Sequence, residues 1–158
     1  MRRLSRAADY SKLSIASGGL LAVFGGATGR RAALSGLACV AATSAFVNIA
    51  VKPIARRRRP DRVGGGVPTG RHVDMPSSAS FPSGHTAAAV AFASGVGRVA
   101  PMMSAPLHSL AALVGYSRVH TGVHFPGDVV AGALIGSVVA DIAATLVDGR
   151  VRALAGAE

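Results

Sequence analysis

The stretch "SRVHTGVHFPGD", Ser117–Asp128, joins two apolar runs at residues 102–117 and 126–147. It carries one arginine, two histidines and one aspartate within twelve positions. Ionisable groups are costly at the boundary of a membrane, and those that occur there usually serve a function. The stretch therefore predicts two membrane helices joined by a polar, functional connection.

The apolar residues of the whole chain fall into five blocks, at 13–29, 32–51, 84–100, 102–117 and 126–147. Half of the 158 residues are hydrophobic, yet only 4% are aromatic and tryptophan is absent. Long blocks of small aliphatic residues favour lipid-facing helices over a soluble core. The sequence predicts an all-α integral-membrane bundle of about five transmembrane helices. Residues 1–158 are expected to form a single membrane-embedded domain.

The N-terminal part resembles a signal peptide, but its polar lead is long and its apolar part runs on into the next block. We expect residues 1–12 to lie as an interfacial helix before a retained first span. The single cysteine, Cys39, excludes a disulfide framework. Small residues at helical spacing, Ala22 with Gly26 and Gly132 with Gly136, predict close helix packing within one protomer. An oligomer is allowed, but nothing in the sequence indicates one.

The chain has 17 basic and 7 acidic residues, a net charge of +10. The basic residues cluster at the ends of apolar blocks and form no face interleaved with aromatics, which argues against a nucleic-acid partner. An anionic bilayer surface or lipid headgroup fits this distribution better. If every block crosses the membrane, the polar loop at 52–80, the start of the third helix and the opening stretch share one membrane face. Gly64–Gly66 and Pro68 predict that this loop is irregular.

Each of the three polar segments on that face offers groups that suit a phosphate. Lys52 and Arg59 provide a point charge and a planar fork of donors. Pro53 argues against a regular helix there, so the spacing predicts only that the two are near each other. A basic run at a membrane edge is also a common topology or lipid-surface signal.

The second segment is Pro82-Ser83-Gly84-His85, at the start of the third apolar block. Pro82 fits the first turn of a helix, and the backbone N–H groups of Ser83 and Gly84 there can bind an anion. His85 could then donate a proton to a leaving group. The alternative is an ordinary Ser–Gly helix cap with an interfacial histidine.

The third segment is the opening stretch. Arg118 ends the fourth block and can hold phosphate oxygens, while His124 lies just before the fifth helix. Asp128, in the first turn of that helix, can bind one imidazole nitrogen of His124 and make the other more nucleophilic. Alone, Asp128 could instead be a favourable carboxylate at a helix N-terminus. No pair of carboxylates is present to hold a metal, so we expect catalysis without a metal ion or other cofactor.

Together these segments resemble the signature of the type-2 phosphatidic acid phosphatases, which share their site with vanadium haloperoxidases. The signature is lysine, six residues, arginine–proline; then proline–serine–glycine–histidine; then serine–arginine, five residues, histidine, three residues, aspartate. The chain matches each position in order: Lys52 to Arg59-Pro60, Pro82 to His85, Ser117-Arg118 to His124 and Asp128. The resemblance covers about residues 48–130. Membrane members commonly have six spans, one more than the five predicted here.

The resemblance implies that His124 attacks phosphorus to form a phosphohistidine, assisted by Asp128, and that His85 protonates the leaving alkoxide. Phosphoryl oxygens would be held by Lys52, Arg59, Ser83, Gly84 and Arg118. The expected substrate is a membrane lipid phosphate: phosphatidic acid, phosphatidylglycerol phosphate, or a polyprenyl phosphate or pyrophosphate. The expected location is a bacterial inner membrane. The positive-inside rule does not decide which side carries the active site, because the cations of the site have a catalytic reason to be there.

Two other functions stay open at this point. A membrane protein that only binds anionic lipid would keep the cations, but it would not need a paired His124 and Asp128 with a separate His85. A soluble-type acid phosphatase could use the same site, although the five apolar blocks argue against it. Six further polar residues are weaker candidates. Asn48 is the best of them, as a headgroup contact or interhelical bond, and the others are His72, Asp74, His108, His120 and Asp141.

Overall fold

The computed structural model describes residues 1–155, with side chains for residues 1–9 and 11–146. All regular elements in this part of the chain are helical. The helices are α1 (Arg2–Ala7), α2 (Lys12–Phe24), α3 (Gly26–Ala45), α4 (Lys52–Ala55), α5 (Gly84–Val99), α6 (Ser104–His120) and α7 (Pro126–Ala155). A π turn, Phe46–Val51, joins α3 to α4, and 3-10 turns occur at Asp9–Ser11, Thr69–Arg71 and Pro101–Met103.

The five apolar blocks correspond to α2, α3, α5, α6 and α7, but the first boundary was predicted in the wrong place. The turn between the first two helices lies at Gly25 and Gly26, because Gly26 adopts a positive φ of 61°. A Cβ on Gly29 would collide with the carbonyl of Leu21, so the two helices fold back closely on each other. Ala22 and Gly26 therefore lie on either side of a turn, and the prediction that they form a packing pair is wrong.

The helical run that begins at Gly26 continues to Ala55, past the expected end at residue 51. Pro53 was expected to argue against a regular helix from Lys52 to Arg59; α4 does include Pro53, but it ends at Ala55 and does not reach Arg59. The π turn directly before α4 changes the backbone hydrogen-bond register, so a proline without an N–H is tolerated. The run ends at Arg56, whose φ is 41°.

Two helical stretches, Gly26–Ala55 and Pro126–Leu146, are long and apolar enough to cross a membrane, with mean hydropathies of 1.8 and 2.0. α2 is apolar but shorter. The outer face of α7 exposes a ridge of large aliphatic residues at every fourth position: Val130, Leu134, Val138, Ile142 and Leu146. Large aliphatic side chains outside and small ones inside are the arrangement expected in lipid. The number of spans stays a prediction.

α5 occupies the centre of the bundle and packs against α3, α6 and α7. Small residues allow the close approach: a Cβ on Gly36 of α3 would lie 2.7 Å from Val96 and 2.8 Å from Phe92. On α7, a Cβ on Gly132 would lie 2.5 Å from the carbonyl oxygen of Ser83, and one on Gly136 would collide with Ala87. The predicted packing of Gly132 and Gly136 within the protomer is confirmed.

We expect Gly136→Ala to destabilise the bundle by about 1–3 kcal/mol, because the added methyl would force α7 away from the α5 backbone. The matched control is Gly19→Ala, since a Cβ at exposed Gly19 of α2 meets nothing within 4 Å. Thermal unfolding of both variants in one detergent measures the difference. Equal midpoints would show that the α5–α7 contact is looser than described.

Candidate active site

The three predicted segments lie at one end of the bundle. Lys52 is in α4, His85 is in the first turn of α5, and Arg118 is in the last turn of α6. His124 precedes α7, and Asp128 lies in its first turn as predicted. Asp128 also accepts the backbone N–H of Ser83 on its carbonyl oxygen at 2.9 Å. The start of α5 is thereby tied to the start of α7.

Lys52 and Arg59 meet at Ser78 of the connecting loop. The Lys52 ammonium donates to the Ser78 hydroxyl at 3.2 Å, and Arg59 Nε donates to the Ser78 carbonyl at 3.0 Å. Lys52 also donates to Asn48 at 3.0 Å. Among the described residues, neither cation has a carboxylate partner. Two positive charges are thus held side by side and remain available to an anion.

The neighbours of His124 determine which ring nitrogen carries its proton. The Ser80 hydroxyl donates its hydrogen to Asp128 Oδ2, so towards His124 Nδ1, 3.5 Å away, it can only accept. Asp128 Oδ2 lies 3.5 Å from the same nitrogen. On the other side, Arg59 NH1 lies 3.3 Å from His124 Nε2 and is a donor. The hydrogen therefore belongs on Nδ1, and Nε2 presents a lone pair.

His124 is also held in the neutral form that a nucleophile requires. Its side chain is 2% exposed. Burial, together with the positive charges of Arg59 and Arg118, lowers the pKa of His124 to about 3, although Asp128 opposes this. A neutral imidazole with a bare Nε2 beside a guanidinium can attack an electrophile bound by that guanidinium.

The carboxylate of Asp128 is fully buried and is held by three donors. Arg57 NH1 donates to Oδ1 at 3.0 Å, and the Phe125 backbone N–H donates to Oδ2 at 3.0 Å, beside the Ser80 hydroxyl. The guanidinium of Arg57 also lies 4.2 Å from the centre of the Phe125 ring. Neither contact of Asp128, to Arg57 or to Ser80, was predicted from the sequence. Arg57 is hidden in an arginine run, and Ser80 directly precedes the "FPSGH" motif.

Helix α5 begins at Gly84, two residues later than expected from the second segment, Pro82 to His85. Ser83 is the N-cap of α5 and accepts the N–H of Thr86 on its hydroxyl, so the prediction that Pro82 lies in the first turn is wrong. Pro82 lies just outside the helix because the serine cap fixes the start at Gly84. Both the hydroxyl and the N–H of Ser83 are used within the protein, whereas first-turn N–H groups, such as those of Gly84 and His85, lack intrahelical acceptors. Ser83 and Gly84 stay predicted phosphate ligands.

A carboxylate from the N-terminal segment joins the site and was not predicted. Asp9 Oδ1 lies 3.0 Å from His85 Nε2 and 3.2 Å from Arg118 NH1. Arg118 is 1% exposed, and its NH1 also donates to the carbonyl and hydroxyl of Ser5 at 2.9 and 2.8 Å. The Nε of Arg118 is buried without a partner among the described residues. An oxygen atom of a bound ligand would accept a hydrogen bond from this buried N–H group.

An open cleft of about 810 Å³ lies at the same end of the bundle. Lys52, Gly84 and His85 line it, as do Asp9 and Ser78. Three of the predicted residues, Lys52, Gly84 and His85, therefore border a space large enough for a lipid headgroup. The other five are not among its lining residues: Arg59, Ser83, Arg118, His124 and Asp128. No group of three or more His, Cys, Asp or Glu side chains among the described residues is arranged to hold a metal ion.

Of the six weaker candidates, Asn48 and Asp74 line the cleft, and the others are not among its lining residues. Asn48 accepts the Lys52 ammonium and so supports the site from one turn earlier in the chain. His72 bonds the Val67 carbonyl, and His120 lies against the ring of Tyr116. Asp141 pairs with Arg98 at the end of α5 that is far from His85. The prediction that Asp141 lies away from the site is confirmed.

The lowered pKa of His124 predicts a specific sensitivity to acid. In the unfolded chain histidine binds a proton below about pH 6.5. In the folded protein His124 does so only below about 3. Acid therefore favours the unfolded state across this window. The free energy of unfolding decreases as the pH is lowered wherever the unfolded state binds more protons than the folded state. His124→Asn should unfold with a shallower dependence on pH between about 6.5 and 4.

Thermal midpoints in detergent at several pH values measure this effect, with about pH 8 as the internal reference because His124 is neutral there in both states. Parallel curves for the variant and the wild-type protein would show that His124 is not held neutral.

Comparison with known proteins relates this fold to phosphatases. Residues 32–152 match the PAP2 superfamily. The chain is 37% identical to a decaprenylphosphoryl-5-phosphoribose phosphatase of Mycobacterium tuberculosis over 122 residues, 72% of this chain and 63% of that protein. The protein of that name from Mycolicibacterium smegmatis is 40% identical over 88 residues, 53% of this chain and 43% of the relative. The chain thus spans less than two thirds of the length of these relatives.

Two solved structures share the fold. Aquifex aeolicus LpxE aligns with a TM-score of 0.68 and 26% identity, covering 90% of this chain and 82% of that one. A transmembrane PAP2-type phosphatidylglycerolphosphate phosphatase from Bacillus subtilis aligns at 0.60 and 24% identity, covering 94% and 84%, which supports the fold alone. These similarities confirm the predicted all-α membrane bundle. Because the family matches three quarters of its length, the chain belongs to the PAP2 superfamily.

Proposed function

We propose that this protein is a phosphatase that removes phosphate from a membrane lipid phosphate without a metal ion. The observation that carries the proposal is the state of His124: a buried, neutral imidazole whose Nε2 lone pair faces the guanidinium of Arg59. A protein that only bound anionic headgroups would have no use for a histidine held in this tautomer. A nucleophile aimed at a bound phosphate requires it.

In the first step, phosphate oxygens bind to Lys52, Arg59 and Arg118 and to the first-turn N–H groups of α5. Nε2 of His124 attacks the phosphorus and forms a P–N bond as the P–O bond to the lipid breaks. The departing oxygen takes a proton from His85 and leaves as an alcohol. Asp128 stabilises the positive charge that develops on His124.

In the second step, water attacks the phosphohistidine. His85, now neutral, takes a proton from that water, and the P–N bond breaks to return neutral His124 and inorganic phosphate. The acid of the first step thus becomes the base of the second, and no group is consumed. The buried Nε of Arg118 provides a further donor for the phosphoryl oxygens, because it has no partner among the described residues.

The substrate class follows from the placement of the site and from the relatives. The site lies at the end of helices whose outer faces are apolar, so the scissile phosphate should lie at the membrane surface on a lipid held in the bilayer. The relatives are named as phosphatases of decaprenylphosphoryl-5-phosphoribose, which makes a polyprenyl-linked phosphate the first substrate to test. Phosphatidic acid, phosphatidylglycerol phosphate and polyprenyl pyrophosphate complete the panel. The proposed location is a bacterial inner membrane.

Purified protein in detergent should release phosphate from at least one lipid of this panel, and EDTA should not stop it. His124→Ala should lower kcat by a factor on the order of 10³ or more, because the nucleophile is lost. The matched control is His108→Ala, at the other end of the bundle, where the histidine bonds Ser104. Phosphate release is measured with malachite green for the wild-type protein, His124→Ala and His108→Ala.

The result that would remove this proposal is binding of anionic lipid by the wild-type protein with no phosphate release. That outcome would identify a lipid-binding protein. Loss of release on EDTA treatment, with recovery on adding a divalent cation, would instead contradict the metal-independent mechanism.

Ser80→Ala tests the assignment of the His124 tautomer. Without the hydroxyl, Asp128 Oδ2 loses a donor and His124 Nδ1 loses an acceptor, so we expect kcat to fall about 10- to 100-fold with little change in KM. Ser109→Ala on α6 is the control, because within the described part of the chain the Ser109 hydroxyl bonds only a carbonyl of its own helix. An unchanged kcat in Ser80→Ala would mean that Asp128 alone orients the imidazole.

A further inference from the structure

We propose that Asp9 is a positioning residue of this site, which holds His85 as the proton donor. The proposal rests on the proposed function and adds to it a carboxylate that lies outside all three sequence motifs. It also makes the N-terminal segment before the first long helix part of the active site.

The contacts of Asp9 carry the proposal. One oxygen, Oδ1, lies 3.0 Å from His85 Nε2 and 3.2 Å from Arg118 NH1. The two groups come from different helices, α5 and α6, and the sequence separates both from Asp9 by more than seventy residues. A single carboxylate oxygen therefore bridges the predicted acid and a predicted phosphate clamp.

The segment that carries Asp9 is held in place by other contacts. Ser5 of α1 is fully buried, and both its carbonyl and its hydroxyl accept from Arg118 NH1. The Ser5 hydroxyl lies 3.5 Å from the hydroxyl of Thr121, and Arg2 donates to the carbonyl of Gly70 at 3.1 Å. The position of Asp9 is thus set by the packing of α1 against α6 and the loop.

The chemistry follows from which nitrogen of His85 is occupied. With Nε2–H donated to Asp9, the proton transferred to a leaving oxygen must come from Nδ1, and the ring must be an imidazolium to carry both hydrogens. Burial of the ring and the nearby charges of Arg118 and Lys52 disfavour its positive charge more strongly than the Asp9 carboxylate favours it. Asp9 is the group that opposes loss of this proton, as a paired carboxylate does for an imidazolium.

The site would then contain two carboxylate–imidazole pairs with opposite tasks. Asp128 keeps a hydrogen on His124 Nδ1, so that Nε2 can attack. Asp9 takes the Nε2 hydrogen of His85, so that Nδ1 can donate. Asp128 supports the ring hydrogen that leaves Nε2 of His124 free to attack, whereas Asp9 supports the ring hydrogen that leaves Nδ1 of His85 free to donate.

The same geometry has a competing explanation, because the Asp9 carboxylate could occupy the place of a phosphate oxygen and be displaced by substrate. The two explanations differ in what loss of the charge would do. A positioning carboxylate is needed for protonation of a poor leaving group. A competing anion only weakens substrate binding, so its removal would lower KM.

The experiment compares two substrates in the same preparation of Asp9→Asn: dioleoyl phosphatidic acid, whose alkoxide needs a proton to leave, and 4-nitrophenyl phosphate, whose phenolate does not. We expect kcat on phosphatidic acid to fall about 10- to 100-fold. On 4-nitrophenyl phosphate it should stay within about threefold, because general-acid assistance is little needed there. The ratio of the two rates does not depend on how much of the variant is folded.

Two further variants complete the design. Asp9→Glu, which keeps the charge, should recover part of the loss on phosphatidic acid. Asp141→Asn, which loses its pair with Arg98 at the far end of the bundle, should keep the wild-type ratio. Equal losses on both substrates, or a lower KM with a higher kcat, would overturn the proposal and leave the proposed function standing. Wild-type protein inactive on 4-nitrophenyl phosphate and on every lipid of the panel would overturn both.

Discussion

The buried carboxylate of Asp128 is the group on which the rest of this structure depends. A carboxylate without exposure to water must be paired and hydrogen-bonded, or it would lose its charge. Its donors come from Arg57, Ser80 and the backbone of Phe125, while its own carbonyl receives the N–H of Ser83. One residue thus connects the basic loop, the start of α5 and the start of α7. The requirement to satisfy one charge brings the three segments together.

The cations of the site are divided between those with a carboxylate partner and those without one. Arg57 is neutralised by Asp128 and Arg118 by Asp9, whereas Lys52 and Arg59 bond only to neutral oxygens and an imidazole within the described residues. The site therefore has a positive surplus next to a neutral nucleophile. Such a surplus attracts a phosphate, and because His124 stays neutral, the positive charges do not consume its lone pair. Arg59 supports both functions, because it can bind the phosphate and its charge helps to keep His124 neutral.

Much of the fold could be predicted because apolar blocks, caps and prolines act locally. The start of α7 at Pro126 and the packing of Gly132 and Gly136 depend on neighbours in sequence or on helical spacing. The boundary at Gly25 could not be predicted, because both sides of it are apolar and only the backbone reversal shows where the helices divide. The helix through Pro53 depends on a π turn, which has no sequence signature.

The residues of the site could likewise be predicted only where a local sequence pattern marks them. His124, His85, Asp128 and the cations lie together as their motif spacing predicted. Asp9, Ser80 and Arg57 reach the site through the packing of α1 and the path of the loop, and a single carboxylate near the N-terminus carries no local pattern. Ser83 illustrates the converse. Its residue type suits an anion site, but its hydroxyl and N–H are taken by the helix cap and by Asp128.

The seam between α5 and α7 has a consequence for how such a protein can change. Two glycines of α7 lie against the backbone of α5 close to Ser83 and Ala87, so the spacing between the histidine before α7 and the histidine in α5 is set by backbone contact. The opposite face of α7 carries the aliphatic ridge from Val130 to Leu146, which contributes nothing to that spacing. Substitutions along the ridge can therefore adapt the protein to bilayers of different thickness or to lipids with different tails, while the distance between the reacting groups stays fixed.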